Sequence, residues 1–231
     1  VLAYLNASQN CIHLLSIPSA LTVPFAEGEV PLTQCYAAAG PARCREALAQ
    51  VLPLPEGTHY LALSPAVMEH LAGRYGPVRV GFTGALTEAE LARYGRSRSV
   101  QGISAGDAHE FLCQLQADAV LSPERAAAAR GAVWDAFFRQ NLDLLPTTLP
   151  DALRSVSSSL LTDLTALDYA SLERTLEFLA NQAALIETQT LPCRRDAGSS
   201  IYVVSEASRA AMQTFFNVSP TDAQASSASE P

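Results

Sequence analysis

The chain has 231 residues, is 48% hydrophobic, and carries a formal net charge of −8 from 15 basic and 23 acidic residues. This length and apolar content are enough for one large α/β domain, or two small ones, with a real core. The negative charge disfavours binding to nucleic acid or to an anionic membrane surface. Every basic residue is an arginine, which excludes lysine Schiff-base chemistry and a P-loop lysine.

The cysteines and histidines predict no metal site. The 5 cysteines have no CxxC spacing, and the 4 histidines have no HxxxH or HExxH spacing. Cys35 and Cys44 can form a bridge in an oxidising compartment, or both can be buried free thiols. No run of about 18 to 20 apolar residues is present, and no signal peptide opens the chain. Because the first residues already read as β structure, we expect that the chain has been cut from a longer protein.

Hydrophobic periodicity and turn residues predict the following elements in chain order. Residues 1–6 and 11–17 form a hairpin across the polar turn "ASQN". Residues 84–106 are rich in turn residues, and only "TEAELARYG" within them suggests two helical turns. Ser64 and Ser122 precede proline and are predicted helix N-caps. The predicted helices are "GPARCREALAQVL", "SPAVMEHLAGRYG", "AGDAHEFLCQLQ", "SPERAAAARGAVWDAFFRQNL", "LPDALRSVSSSLLTDL", "DYASLERTLEFLANQ" and "EASRAAMQTFFN"; the later strands are "THYLAL", "PVRVGF" and "SSIYVVS".

The order of these elements predicts an α/β protein with a single domain over residues 1–217. Strands come first, helices dominate the middle, and a strand returns at the end, which indicates a mixed central β-sheet flanked by helices. Residues 218–231 are small and polar and are predicted to be a disordered tail.

The order of segments resembles the extracytoplasmic domain of the LytR-CpsA-Psr family. The resemblance runs from Val1 to about Phe216 and lacks the family's first strand and the membrane helix before it. It depends on pattern and order, because no single family motif is intact. The segments that carry it are "LLSIP", "CYAAAGPARCREALAQVL", "THYLALSPAVMEHLAGRYGPVRV", "AGDAHEFLCQLQ", "PERAAAARGAVWDAFFRQNL", "LPDALRSVSSSLLTDLTALDYASL" and "TLPC...SSIYVVSEASRAAMQTFF".

The resemblance implies a location and a chemistry. Active family members are membrane-anchored enzymes on the extracellular face of the cell membrane. They transfer a glycopolymer from an undecaprenyl-pyrophosphate carrier to peptidoglycan. Their α-β-α fold holds the polyprenyl chain in an apolar tunnel, and arginines, carboxylates and Mg²⁺ hold the pyrophosphate at its mouth. For this chain the resemblance therefore implies a polyprenyl-linked glycopolymer partner, Mg²⁺ if the domain is active, and an anchor outside the sequence.

Most charged positions of the family's site carry neutral residues here. The family's Arg-Asp pair after the "SIP" strand corresponds to Ser19 and Ala20. Two further family arginines correspond to Gln114 and Gln116. Glutamine can hydrogen-bond a phosphate but cannot neutralise it. In the family's Gly-Asp-x-Gly-Arg element only Arg125 matches. It lies at a predicted helix N-terminus, which favours a bound anion. The alternative interpretation of Arg125 is an exposed arginine, or one paired with Glu124 or Asp118.

A second register matches the literal string "RYGRSRS" at residues 93–99 to the family's Tyr-x-Arg-Ser-Arg. It makes Arg96, Arg98 and Asp107 the site residues and leaves "AHEFLCQLQADAVL" as an insertion. The alternative interpretation of this string is a solvated arginine loop.

These matches leave two functions open. One is a divergent transferase that still attaches or handles envelope glycopolymers. The other is a pseudoenzyme that binds a polyprenyl lipid or a partner without chemistry, since several missing charges around a pyrophosphate cost far more than the roughly 1.4 kcal/mol of a tenfold rate change. An aromatic stripe with Val133, Trp134, Phe137 and Phe138 either lines a lipid tunnel or belongs to the core.

Overall fold

A three-stranded mixed sheet lies at the centre of the computed structural model, which describes residues 1–96, 100–196 and 201–216. Its strands are β1 (Leu2–Asn6), β2 (Cys11–Ser16) and β9 (Leu185–Thr190), in the order β1-β2-β9. β2 runs antiparallel to β1 and parallel to β9. Every residue of β2 is buried, so this strand is covered on both faces, as its continuous apolar run predicts. The predicted mixed α/β architecture is confirmed.

The strand that returns to the central sheet was not predicted. β9 has the sequence LIETQT, in which only Ile186 is buried. Such a polar edge strand lacks the run of alternating apolar residues by which strands are recognised. The predicted closing strand does form, as β11 (Tyr202–Val204), but it pairs with β10 (Cys193–Arg195) and not with the central sheet. The prediction that this strand completes the sheet was therefore wrong.

Eight helices are present in the described residues, and six of them begin at a side-chain N-cap. In each of the six, the cap side chain accepts a backbone N–H from three residues further along; the caps are Ser64, Thr87, Ser104, Ser122, Thr165 and Ser205. The helices are α1 (Leu32–Val51), α2 (Pro65–Ala72), α3 (Glu88–Arg93), α4 (Ala105–Ala117), α5 (Pro123–Asn141), α6 (Leu145–Ser155), α7 (Ala166–Asn181) and α8 (Glu206–Phe216).

Short antiparallel strand pairs join the helices to the sheet. β3 (Thr22–Phe25) pairs with β4 (Gly28–Pro31), β5 (Leu61–Ala62) with β8 (Leu161–Thr162), and β6 (Val78–Gly81) with β7 (Val100–Ile103). The hairpin β3–β4 and the strand β7 were not predicted.

The helix predicted over residues 149–164 is too long. It ends at Ser155, and a 3₁₀ turn, Ser157–Ser159, follows it. Three consecutive serines explain the end, because their hydroxyls compete with the backbone for hydrogen bonds and serines are therefore poor in helix interiors. The helix predicted from residue 40 is instead too short: α1 begins eight residues earlier, at Leu32, and is kinked at Gly40.

Helix α5 joins two parts of the core. On one side Ala126, Ala129 and Ala136 pack with the β6–β7 strands and α4. On the other side Phe138 and Leu142 pack with residues of β2, β9 and α7. The aromatic stripe lies between these clusters, where the Phe137 ring meets the rings of Trp134, Phe138 and Tyr75 edge-on. In the described residues no helix is both long and apolar enough to cross a membrane.

Helix α5 comes closest to the central sheet at Gly131. A Cβ atom at this position would lie 2.7 Å from Ser16 Oγ and 3.1 Å from Thr188 Cγ2. Ser16 is 0% exposed, and its hydroxyl oxygen has no hydrogen-bond partner among the described residues. Because any side chain at residue 131 would collide with the ends of β2 and β9, glycine is what lets the helix lie against the sheet here.

Replacing Gly131 tests this contact. We expect Gly131→Ala to lower the free energy of unfolding, because overpacking costs about 1 to 3 kcal/mol and the gain in helix propensity returns only about 1 kcal/mol. Ser16→Ala removes a buried, unpaired hydroxyl and should leave stability unchanged or raise it.

The double variant provides the control. With Ser16 replaced, Gly131→Ala should cost less, and urea unfolding of all four proteins measures the coupling. Strictly additive free energies would show that the two residues do not collide.

Candidate functional site

The carboxyl end of β2 is held by backbone hydrogen bonds. The N–H of Leu21 donates to the carbonyl of Pro18 at 3.0 Å, which closes a turn around Ser19 and Ala20. The first turn of α1 then fastens this turn, since the N–H of Thr33 donates to the Ser19 carbonyl at 3.2 Å. Ser19 is partly exposed. The strand-end loop, residues 17–20, therefore has a fixed backbone and presents a hydroxyl rather than a charge.

Arg130 of helix α5 reaches this loop. Its Nη1 donates to the carbonyl of Ile17 at 3.3 Å. No carboxylate of the described residues lies within the 4.0 Å of an ion pair with its guanidinium. Burial lowers the pKa of Arg130, because the charged form loses solvation. A guanidinium has five N–H donors, so Arg130 still has donors to offer to an anion at the end of β2.

Sequence reasoning missed Arg130 because it compared only positions that match a family motif. That comparison led to Arg125. The available signal was different: Arg130 is the one basic residue in the run "AAAARGAV". A charge in the middle of a small-residue helix face that packs against a sheet requires a partner.

Arg125 does not share this environment. Its Nη2 contacts Glu90 Oε2 of α3 at 2.6 Å, and its side chain is 38% exposed. The partner is thus neither of the two expected carboxylates, and Asp118 instead pairs with Arg93. Five residues along a helix correspond to about 140° around its axis, so Arg125 and Arg130 leave α5 on different sides. The Nε of Arg125 is buried and has no partner among the described residues.

Glu90 is held in its ionised form. Its carboxylate accepts the N–H of Thr87 at 2.7 Å and the Thr87 hydroxyl at 2.8 Å. These bonds, together with the positive charge of Arg125, lower the pKa of Glu90. The carboxylate thus remains charged at neutral pH, and it neutralises Arg125.

Helix α4 carries Gln114 and Gln116, and both side chains are exposed. Gln114 Nε2 donates to Glu110 one turn earlier, at 3.3 Å. Gln114 also lines a cleft of about 530 Å³ together with Arg96. The structure therefore brings one residue of each sequence register to the same cleft.

Arg96 and Asp107 both have partners among the described residues. Arg96 Nη1 donates to Gln101 Oε1 at 3.0 Å, and its guanidinium lies 4.5 Å from the centre of the Phe111 ring. Asp107 accepts the Ser104 hydroxyl at 2.7 Å in the first turn of α4. Arg98 lies outside the described residues.

The described residues do not assemble a metal-binding cluster, since nowhere among them do three His, Cys, Asp or Glu side chains converge on one point. These residues therefore offer no cluster of side chains that would hold Mg²⁺ by themselves.

A second chemical arrangement lies on β2 and β9. Cys11 Sγ is 2.8 Å from His13 Nε2, and His13 Nδ1 is 3.1 Å from Glu187 Oε2. The order thiol, imidazole, carboxylate resembles that of cysteine hydrolases. However, Cys11 is 4% exposed and burial raises its pKa, whereas a nucleophile needs an accessible thiolate. This chain of contacts is a satisfied polar network inside the sheet.

The chain was compared with known sequences and with solved structures. Sequence comparisons match the chain to no family profile and to no curated protein. Among solved structures, a LytR-Csp2A-Psr enzyme from Actinomyces oris aligns over 95% of this chain and 85% of its own, with 19% identity and a TM-score of 0.67. TagT of B. subtilis aligns over 94% and 84%, with 14% identity and a TM-score of 0.64. A structure of TagT bound to LIIa-WTA aligns over the same shares, with 14% identity and a TM-score of 0.65.

These alignments cover most of both chains at low identity, so they bear on the fold alone. The predicted resemblance is confirmed at that level. The chain has the fold of the LytR-CpsA-Psr proteins.

Proposed function

We propose that this domain binds the phosphate of a polyprenyl-linked glycopolymer at the carboxyl end of β2, at the extracellular face of a cell membrane. The observation that carries the proposal is Arg130, whose half-buried guanidinium lies at a strand end and has no carboxylate partner among the described residues. Strand ends in α/β folds are common ligand sites. The ligand class is supported by the fold shared with TagT, which has been solved bound to LIIa-WTA.

Arg130 supplies the charge that the neutral loop lacks. A cation that has lost part of its solvation and has no paired charge is costly, and an anion that pairs with it offsets part of that cost. The planar guanidinium can bind a phosphate through two parallel hydrogen bonds. Because the Ile17 carbonyl already holds one Nη1 donor, the orientation of the guanidinium is set before the phosphate arrives.

Binding without transfer is our first candidate activity. Ser19, Gln114 and Gln116 are neutral, and the charge of Arg125 is already balanced by its ion pair with Glu90. A single free arginine can anchor one phosphate, but it offers little additional charge for a leaving pyrophosphate. Transfer of the glycopolymer to peptidoglycan is the second candidate, which the shared fold with a LytR-Csp2A-Psr enzyme favours. The polyprenyl chain would lie near the aromatic stripe of α5, and Mg²⁺ would accompany the substrate phosphates.

Replacing Arg130 by methionine tests the phosphate site. We expect Arg130→Met to weaken binding of a short polyprenyl phosphate roughly 10- to 100-fold, the loss of one charge-assisted interaction of about 1.5 to 3 kcal/mol. Isothermal titration calorimetry measures the change. Arg174→Met is the matched control, because Arg174 is exposed and, among the described residues, its side chain hydrogen-bonds the Ala170 carbonyl of its own helix. Equal affinity in wild type and Arg130→Met would contradict the site.

For Arg125 we predict the opposite result, an almost unchanged affinity for the phosphate. Because Glu90 neutralises its guanidinium and it leaves α5 on another side, Arg125→Ala should change the affinity for the same phosphate by less than about twofold. Arg96→Ala provides the same test for the second register. A tenfold loss in either variant, measured by the same titration, would move the site away from Arg130.

An assay of substrate turnover distinguishes binding without transfer from glycopolymer transfer. Purified domain is incubated with polyprenyl-pyrophosphate substrate and Mg²⁺, and released polyprenyl phosphate is measured by mass spectrometry. Binding without release supports the non-catalytic candidate. Release that Arg130→Met abolishes and Arg174→Met retains supports the transferase.

A further inference from the structure

Helix α1 contains two cysteines on either side of a sharp kink. Gly40 has φ 75° and ψ −174°, outside the helical region, and Pro41 follows it. In a straight helix the nine-residue step from Cys35 to Cys44 would separate their Cα atoms by about 13.5 Å along the axis. This is beyond the reach of a disulfide, whose Cα atoms lie at most about 7 Å apart. The kink at Gly40 interrupts the helix between the two cysteines, so the spacing of a straight helix does not apply to them.

The two thiols meet in a small apolar cluster. Cys35 is 0% exposed and Cys44 is 8% exposed, and both pack with Val23 and Ala47. Burial, and next to it the neighbouring Cys35, raise the pKa of Cys44 to about 12. The Cys44 Sγ also lies 3.6 Å from the carbonyl of Leu32. Because both thiols are buried in the same small cluster, this pair is suited to a crosslink.

We propose that Cys35 and Cys44 form an intramolecular disulfide when the chain folds in the presence of a disulfide oxidant such as oxidised glutathione. One cysteine thiolate attacks a glutathione sulfur, which forms a mixed disulfide and releases one glutathione thiol. The second cysteine thiolate then attacks the protein sulfur of that mixed disulfide, forms the Sγ–Sγ bond and releases the second glutathione. Both thiol protons go to the released glutathiones, and the cysteines lose the two electrons that the oxidant gains.

The bond would restrain the strand-end loop. The first turn of α1 donates from Leu32 to the Leu21 carbonyl at 2.8 Å, and from Thr33 to the Ser19 carbonyl at 3.2 Å. Cys35 lies less than one turn further along this helix. A link from Cys35 to Cys44 therefore ties the segment that fastens the loop to the second half of α1.

Counting free thiols tests the disulfide. The reduced protein is unfolded, refolded in a glutathione redox buffer, and alkylated with N-ethylmaleimide under denaturing conditions, so that burial does not hide a thiol. The chain has 5 cysteines, so the reduced protein takes five adducts and the crosslinked protein takes three. Because Arg43 lies between the two cysteines, trypsin cuts there, and only the disulfide then joins the two peptides.

Single variants identify the pair. Cys35→Ser should take four adducts both before and after oxidation, because Cys44 has lost its partner. Cys113→Ser is the matched control, since Cys113 is exposed, and its count should fall from four to two. Five adducts in oxidised wild type would overturn the proposal. A Cys35→Ser count that falls from four to two would also overturn it, because another pair would then form the bond.

Discussion

The contact of helix α5 with the ends of β2 and β9 at Gly131 determines the rest of the site. Since residue 131 has no side chain, the helix lies close enough to the sheet for the preceding residue to reach the end of β2. Arg130 is thereby placed against the Ile17 carbonyl in a half-buried position. A wider spacing would let this guanidinium turn into solvent, where it would have no need of an anion.

The two arginines of α5 show how environment decides the role of one residue type. Arg125 belongs to a surface network with Glu90 and the cap residue Thr87, in which its charge is already balanced. Arg130 faces backbone atoms, and its charge is not balanced by any described carboxylate. A match to a family motif favoured the first arginine, whereas the charge balance in the structure favours the second. For a divergent chain the charge balance is the better guide, because a site can keep its position in the fold while the residues that fill it change.

The sequence predicted the elements whose signals are local. The β1–β2 hairpin, the caps at Ser64 and Ser122, and most helices follow from turn residues and periodicity. β9 was missed because its partner, β2, lies far away in the chain and four of its six residues are polar. Arg130 matches no family motif, and although it is the one basic residue in its run, only the packing of α5 on a distant strand shows that it is half-buried without a carboxylate partner among the described residues. The pairing of distant segments decides the place of β9 and the environment of Arg130.

The central claim is that a phosphate meets Arg130 rather than Arg125. The most direct measurement is an NMR titration of the arginine Nε–H resonances with a short polyprenyl phosphate, after assignment with single-arginine variants. The account predicts a saturable shift of the Arg130 resonance and little change at Arg125. A shift at Arg125 with an unchanged Arg130 resonance would contradict it.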